Sequence, residues 1–225
     1  MLVLVVDSST PAVTAALAEV TADGVTIRAQ RHAVDARAHG ELLAPQVAAV
    51  LAEVGARPAD LGAIVAGLGP GPFTGLRVGL VTAATMGQAL GVPTYGVCSL
   101  DAIGQPAAAG EPVLAASDAR RREIYWAVYD GAGERIAGPD VALPTVVAER
   151  ARDLGVTGMV GDGAHRYADV LGLPLRAEPR YPSAAALAAL VAGRIRAAAP
   201  GDRLTPLYLR RPDAVAATAR KSVLP

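Results

Sequence analysis

The residues best equipped for chemistry stand near the N-terminus, where Asp7-Ser8-Ser9-Thr10 follows the apolar run Leu2 to Val6. A carboxylate and three hydroxyls at the C-terminal end of a strand can organise a metal-bound or water-bound phosphate. The same four residues also make an ordinary turn, with Asp7 and Ser9 binding backbone amides. A second stretch, Gly69-Pro70-Gly71-Pro72-Phe73-Thr74-Gly75-Leu76-Arg77, lies between a strand and a helix, where backbone amides converge on anions. No lysine follows it, so a Walker loop is excluded. Two prolines remove amide donors, so a dinucleotide fingerprint fits poorly. Gly69, Gly71, Phe73 and Thr74 read instead as a rigid loop fixing the helix entry, anchored by Phe73, the one phenylalanine.

Other chemistries have too few residues. The one lysine is Lys221, four residues from the C-terminus, which argues against phosphate-loop, Schiff-base and Ser-Lys mechanisms. His32, His39 and His165 are the only histidines, and their spacing makes no metal site. There is no Gly-x-Ser-x-Gly elbow, and Cys98 reads as a small packed residue after an apolar strand. Asp118-Ala119-Arg120-Arg121-Arg122-Glu123 is a basic cluster flanked by acids, suited to a nucleic-acid phosphate or to a solvated turn.

These groups need a scaffold, and the hydrophobic pattern supplies one. Residues 2–6, 13–20 and 25–30 read as strands, the last two joined at Thr21-Ala22-Asp23-Gly24. Leu42, Leu43, Gln46, Val47, Val50, Leu51 and Val54 then recur at helical spacing. A buried strand over 61–68, a helix over 73–90 and a strand over 93–97 follow. Within the second helix Gly75, Gly79, Ala83 and Gly87 fall at four-residue intervals. Glycine costs up to ~1 kcal/mol per helix position, so this stripe must face a close neighbour: the chain's own sheet, its first helix, or another chain. Gly104 to Pro112 reads as a boundary, after which strands over 113–117 and 123–129, a helix over 145–154 and a strand over 158–160 repeat the pattern. Gly161-Asp162-Gly163 is a loop, and Ser183 caps an alanine-rich helix.

The chain has 225 residues, 21 basic and 21 acidic, so its formal net charge is zero. At roughly 150 residues per domain, that length holds one large domain or two small ones. Neutrality gives no general attraction for nucleic acid or membranes. A single cysteine excludes a disulfide framework, and Met1 to Asp7 reads as a strand rather than a signal peptide. A cytoplasmic α/β protein is expected.

Several stretches together resemble the TsaB (YeaZ) family: Leu4 to Thr10, His39-Gly40-Glu41-Leu42-Leu43-Ala44-Pro45, the loop Gly69 to Gly79 with Pro72 where the family usually has serine, Gly96 to Ala102, Asp118 to Tyr125, Gly161 to Ala164 and Tyr208-Leu209-Arg210. The resemblance implies two ribonuclease-H-like (actin-like) domains, each a mixed sheet flanked by helices. They would span 1–103, binding a partner, and 104–225, with the final segment packing back on the first. It implies a non-catalytic role in bacterial synthesis of threonylcarbamoyladenosine, next to the anticodon of tRNAs reading codons that begin with A.

The implied partners are a paralogous transferase, TsaD, held through N-terminal-domain helices, and an ATPase, TsaE. A second copy of the chain pairs with it when alone, and tRNA is met only indirectly. The transferase's metal-binding histidines align with Ser99 and Ile103, neither of which replaces imidazole. Leu43, Val47, Val50, Gly75, Gly79, Ala83 and Gly87 would build the partner interface, so Ala83→Glu or Val50→Asp is expected to abolish binding and spare the fold. No cofactor is required. Asp7, Ser8, Ser9 and Thr10 with Gly161 and Gly163 form a vestigial phosphate loop open to weak or interface-bound ATP or ADP with magnesium. The alternative is an ATP-dependent small-molecule kinase or ATPase of the same superfamily.

Overall fold

The computed structural model describes residues 1–210. Lys221 and the last part of the segment assigned to the second domain lie outside the described residues. Strands β1 (Leu2–Asp7), β2 (Ala12–Val20) and β3 (Val25–Val34) form an antiparallel meander, and β4 (Ala63–Gly67) and β5 (Thr94–Val97) extend it in parallel. The order is β3-β2-β1-β4-β5. The unbroken apolar run of β1 is explained by cover on both faces. Leu4 and Val6 point to one side, against Leu43, Val47, Val50 and Leu51 of α1 (His39–Glu53) and Leu76, Leu80 and Ala83 of α2 (Phe73–Leu90). Val3 and Val5 point to the other, against Leu187, Val191 and Ile195 of α7 (Ala184–Arg196).

The second sheet repeats the scheme with one parallel strand fewer. β6 (Val113–Asp118), β7 (Ile124–Tyr129) and β8 (Arg135–Ala142) are antiparallel, and β9 (Gly158–Val160) lies parallel to β6, in the order β8-β7-β6-β9. One face is covered by α3 (Asp101–Ala107) through Ile103 and Ala107, the other by α4 (Pro144–Asp153) through Val147, Ala148 and Ala151. Two short helices, α5 (Asp162–Arg166) and α6 (Ala168–Leu171), follow β9.

Three departures from the sequence reading have physical causes. The stretch from Gly104 is not a linker, because α3 runs through it to Ala107; a Cβ at Gly104 would come within 2.0 Å of the Tyr129 ring, so glycine lets the helix sit on β7. The eight-residue β8 leaves no strand pattern in the sequence because Gly138-Pro139 interrupts it and its side chains are mostly exposed or half-exposed. Finally, Ser183 caps α7 as expected, its Oγ accepting from the Ala186 N–H at 3.1 Å, but α7 belongs to the first sheet.

The chain after α7 fastens the two halves. Asp202 accepts from the Gly96 N–H at 3.1 Å and from both Arg194 nitrogens, at 2.9 and 2.7 Å. The Leu207 N–H donates to Leu68 O at 2.9 Å, and Arg210 reaches Ala119 O at 3.0 Å.

Candidate functional site

Asp7 closes β1 and is 1% exposed. Its Oδ1 accepts from the Ser9 N–H at 3.0 Å and from Ser9 Oγ at 2.9 Å, while Oδ2 accepts from Ser99 Oγ at 2.7 Å. Ser99 Oγ in turn accepts from the Gly69 N–H at 3.2 Å. Burial pushes the Asp7 carboxyl up, and the hydrogen bonds from Ser99 and Ser9, with the nearby His39, draw it back. Thr10 Oγ1 accepts from the Ala12 N–H at 3.2 Å, and Thr10 O accepts from His39 Nε2 at 2.8 Å.

Ser8 does something less common. Its Oγ donates to Gly75 O at 2.7 Å and accepts from the Gly79 N–H at 2.8 Å. Those two groups are four residues apart on α2, so the one hydroxyl bridges a full helical turn.

The glycines around this loop make room for it. A Cβ at Gly67 would lie 1.7 Å from Asp7 Oδ2, one at Gly71 2.0 Å from Ser9 O, and one at Gly79 2.6 Å from Ser8 Oγ. Ser8, Ser9 and Thr10 are 1%, 1% and 3% exposed, their hydroxyls spent inside the chain. A nucleotide phosphate with magnesium needs free ligands and open space, and these residues do not fit one. Gly161 and Gly163 correct the same expectation: a Cβ at Gly161 would lie 2.1 Å from Ala116 O and one at Gly163 2.6 Å from Ser117 C, so both glycines admit the end of β6 rather than a phosphate.

Open space lies beside these loops. A cavity of about 460 Å³ is lined by Pro11, Asp118, Asp162, His165, Arg166, Arg180 and Tyr181. Asp162 is 7% exposed, and its Oδ1 has no hydrogen-bond partner. Burial and the neighbouring Asp118 carboxylate push its pKa to about 6, against the pull of the Asp118 and Gly163 backbone N–H groups and Arg180. The sequence shows Asp162 only as part of the loop Gly161-Asp162-Gly163, where a carboxylate between two glycines at a strand end is the one signal of a site.

The expected partner interface requires correction. Leu43, Val47, Val50, Gly75, Gly79, Ala83 and Gly87 are all buried in the chain's own interior, against the first sheet and the Asp7 loop. The stripe faces inward because Ser8, His39 and Thr94 occupy the space a side chain would need. Ala83→Glu and Val50→Asp would therefore bury a carboxylate at positions that are 0% exposed. The outward face is different: Ala44 and Ala48 on α1, and Val81 (62% exposed), Ala84, Thr85 and Gln88 on α2. Phe73 is not a buried anchor either. It is 47% exposed, stacks on Tyr208 at 5.4 Å and carries Arg77 3.8 Å above its ring, while Thr74 is exposed beside it.

Ser99 is held by Asp7, and Ile103 is fully buried in the second sheet's core. No helix among the described residues is long and apolar enough to cross a membrane.

The two sheets, with helices on both faces and matching strand orders, define an α/β protein of the ribonuclease-H-like, actin-like class. The family model for TsaD, the tRNA N6-adenosine threonylcarbamoyltransferase, matches residues 28–193. The tRNA threonylcarbamoyladenosine biosynthesis protein TsaB of Escherichia coli is 34% identical over 187 residues, 78% of this chain and 79% of that protein. A crystal structure of a Pseudomonas aeruginosa protein similar to YeaZ superposes with a TM-score of 0.75 at 30% identity, covering 93% of this chain and 99% of that one. The chain belongs to the TsaB (YeaZ) family, within the wider TsaD family. An uncharacterised protein of Mycobacterium leprae is 47% identical over 97% of this chain, which spans only 57% of that protein's length.

Proposed function

We propose that the chain is a non-catalytic partner of a TsaD-type transferase in the synthesis of threonylcarbamoyladenosine on tRNA. The relatives' role supports the pathway. The observation that carries the non-catalytic part is the closed Asp7 network. Its carboxylate and hydroxyls bind Ser99, the Gly69–Gly71 loop and α2, leaving no free group there to hold a phosphate. At the positions aligned with the transferase's metal ligands stand a serine committed to Asp7 and a core isoleucine.

The partner surface in this proposal is the outward face of α1 and α2. Its small and uncharged side chains let a second pair of helices approach closely. A transferase of the same fold would offer equivalent helices, and a second copy of this chain would use the same face when alone. A TsaE-type ATPase would join the resulting pair. The two sheets are proposed as two domains divided near residue 103, with α7 and the chain to Leu207 assigned to the first.

Reconstituted tRNA modification with and without this chain, beside an ATPase assay on the chain alone, tests the reading. Stimulation without independent turnover is expected; turnover without stimulation would replace it with the kinase or ATPase alternative. Ala84→Arg is expected to abolish capture of the transferase with an unchanged Tm.

A further inference from the structure

The cavity beside Pro11, the end of β6 and α5 carries charges of both signs on its walls. Asp118 and Asp162 supply two carboxylates, Arg166 and Arg180 two guanidiniums. The aspartates differ in how the chain uses them. Asp118 is spent internally: its Oδ1 accepts from the Arg120 N–H at 3.3 Å, and its Oδ2 pairs with Arg166 Nη1 at 3.3 Å. Asp162 is 7% exposed, and its Oδ1 has no hydrogen-bond partner. Folded chains seldom bury a carboxyl oxygen unpaired, because the desolvated charge is then left uncompensated.

The opposite charge stands close by. Arg180 is exposed, with its guanidinium carbon 5.8 Å from the centre of the Tyr181 ring. Burial and Asp162 push the Tyr181 phenol up while Arg180 draws it down, so these three groups share one electrostatic neighbourhood. Tyr181 is braced by the first sheet, its ring 5.9 Å from that of His32 on β3. His165, in its neutral form, donates Nε2–H to Ala177 O at 3.1 Å and keeps Nδ1 as an acceptor.

These walls select a ligand by charge. A simple anion would meet the two carboxylates, and a simple cation the two guanidiniums. A molecule with one positive and one negative group close together meets each with its complement. Among the described residues no three of His, Cys, Asp or Glu are placed to hold a metal ion. At about 460 Å³ the cavity falls within the ~300–1,000 Å³ of small-molecule sites.

We propose that this cavity binds a free α-amino acid, with its ammonium against Asp162 and its carboxylate against Arg180. Arg180 takes that role because Arg166 is already paired with Asp118. No residue of α1 or α2 lines the cavity, so the proposal stands apart from the transferase-binding reading.

The test begins with the Tm of the full chain in the presence of each common L-amino acid at ~10 mM, where mass action reveals millimolar or tighter binding. At least one should raise the Tm, and calorimetry with that amino acid gives its Kd. Asp162→Asn and Arg180→Gln should each weaken binding at least about tenfold, as for a lost charged hydrogen bond. Position 180 is exposed and asparagine keeps the shape of Asp162, so circular dichroism should show both variants folded. The amide and the N-acetyl derivative of the same amino acid each lack one charge and should each bind at least about tenfold more weakly than the parent. No rise in Tm with any amino acid would overturn the proposal. So would unchanged affinity in either folded variant, or a derivative that binds as tightly as the parent.

Discussion

Replacing Asp162 with asparagine should make the protein more stable, by an amount that depends on pH. The Asp162 pKa stands at about 6 in the folded chain, against an ordinary 3.8, because burial and Asp118 oppose its charge. A gap of about two units is worth ~3 kcal/mol at 1.36 kcal/mol per unit. The sign follows from proton counts. Between pH ~4 and ~6 the folded chain holds this proton and the unfolded chain releases it, so Asp162 makes stability fall as pH rises. The penalty is absent below pH ~4 and complete above pH ~6 to 7. Asparagine keeps the shape and cannot ionise. The variant-minus-wild-type difference in unfolding free energy should therefore grow by up to ~3 kcal/mol in the variant's favour between pH ~4 and pH ~7. Asp118, His165, Arg166, Arg180 and Tyr181 also line the cavity and are present in both proteins, so the comparison changes position 162 alone. Urea unfolding of both chains across that range supplies the numbers. A flat difference, or one that grows in the opposite direction, would refute the argument that burial and Asp118 penalise the Asp162 charge.

Gly79→Ala places a methyl group 2.6 Å from Ser8 Oγ and should cost ~1–3 kcal/mol by urea unfolding. Ser8→Ala in the same chain removes the atom that the methyl group meets, so the double variant should lose less than the sum of the singles. Gly67→Ala drives a methyl group into the Asp7 carboxylate, at 1.7 Å, and is expected to prevent accumulation of soluble folded chain, checked by gel filtration and circular dichroism. Asp202→Ala cuts the Gly96 and Arg194 bonds that fasten the segment after α7; a loss of ~1–2 kcal/mol and earlier proteolysis after residue 197 are expected in a limited-digestion time course.

Much of the first sheet was legible because its strands and helices are long and strongly periodic: the predicted helix over 73–90 has the observed bounds. The second half was harder. β8 carries a Gly-Pro pair at its centre and lacks a buried face, and α3 begins only four residues after β5, so neither leaves a clean pattern. The Asp7-Ser8-Ser9-Thr10 loop was visible as a group but not its use. Hydroxyl and carboxylate residues at a strand end look alike whether they await a ligand or bind one another, and Ser99 and Gly79 reach them from ~70 to 90 positions away. The glycine stripe on α2 was likewise visible without its direction, because four-residue spacing states that a neighbour comes close and not which neighbour it is.

That direction bears on the proposed function. Ser8 occupies one turn of α2, His39 at the start of α1 binds Thr10 O, and Gly71 is pressed onto Ser9. The short loop after β1 thus touches the starts of both helices whose outer faces are proposed to receive the transferase. A loop that held a phosphate would have to stay open to it; here the space is filled by the chain's own helix and loop. The loop's side chains instead bind α2 and Ser99. Ser8→Ala therefore carries a second expectation. If the loop positions the partner face, the variant should bind the transferase more weakly at a temperature where it is fully folded, although position 8 is buried and touches no partner. Transferase affinity equal to wild type in a folded Ser8→Ala chain would reduce the network to a local contribution to stability.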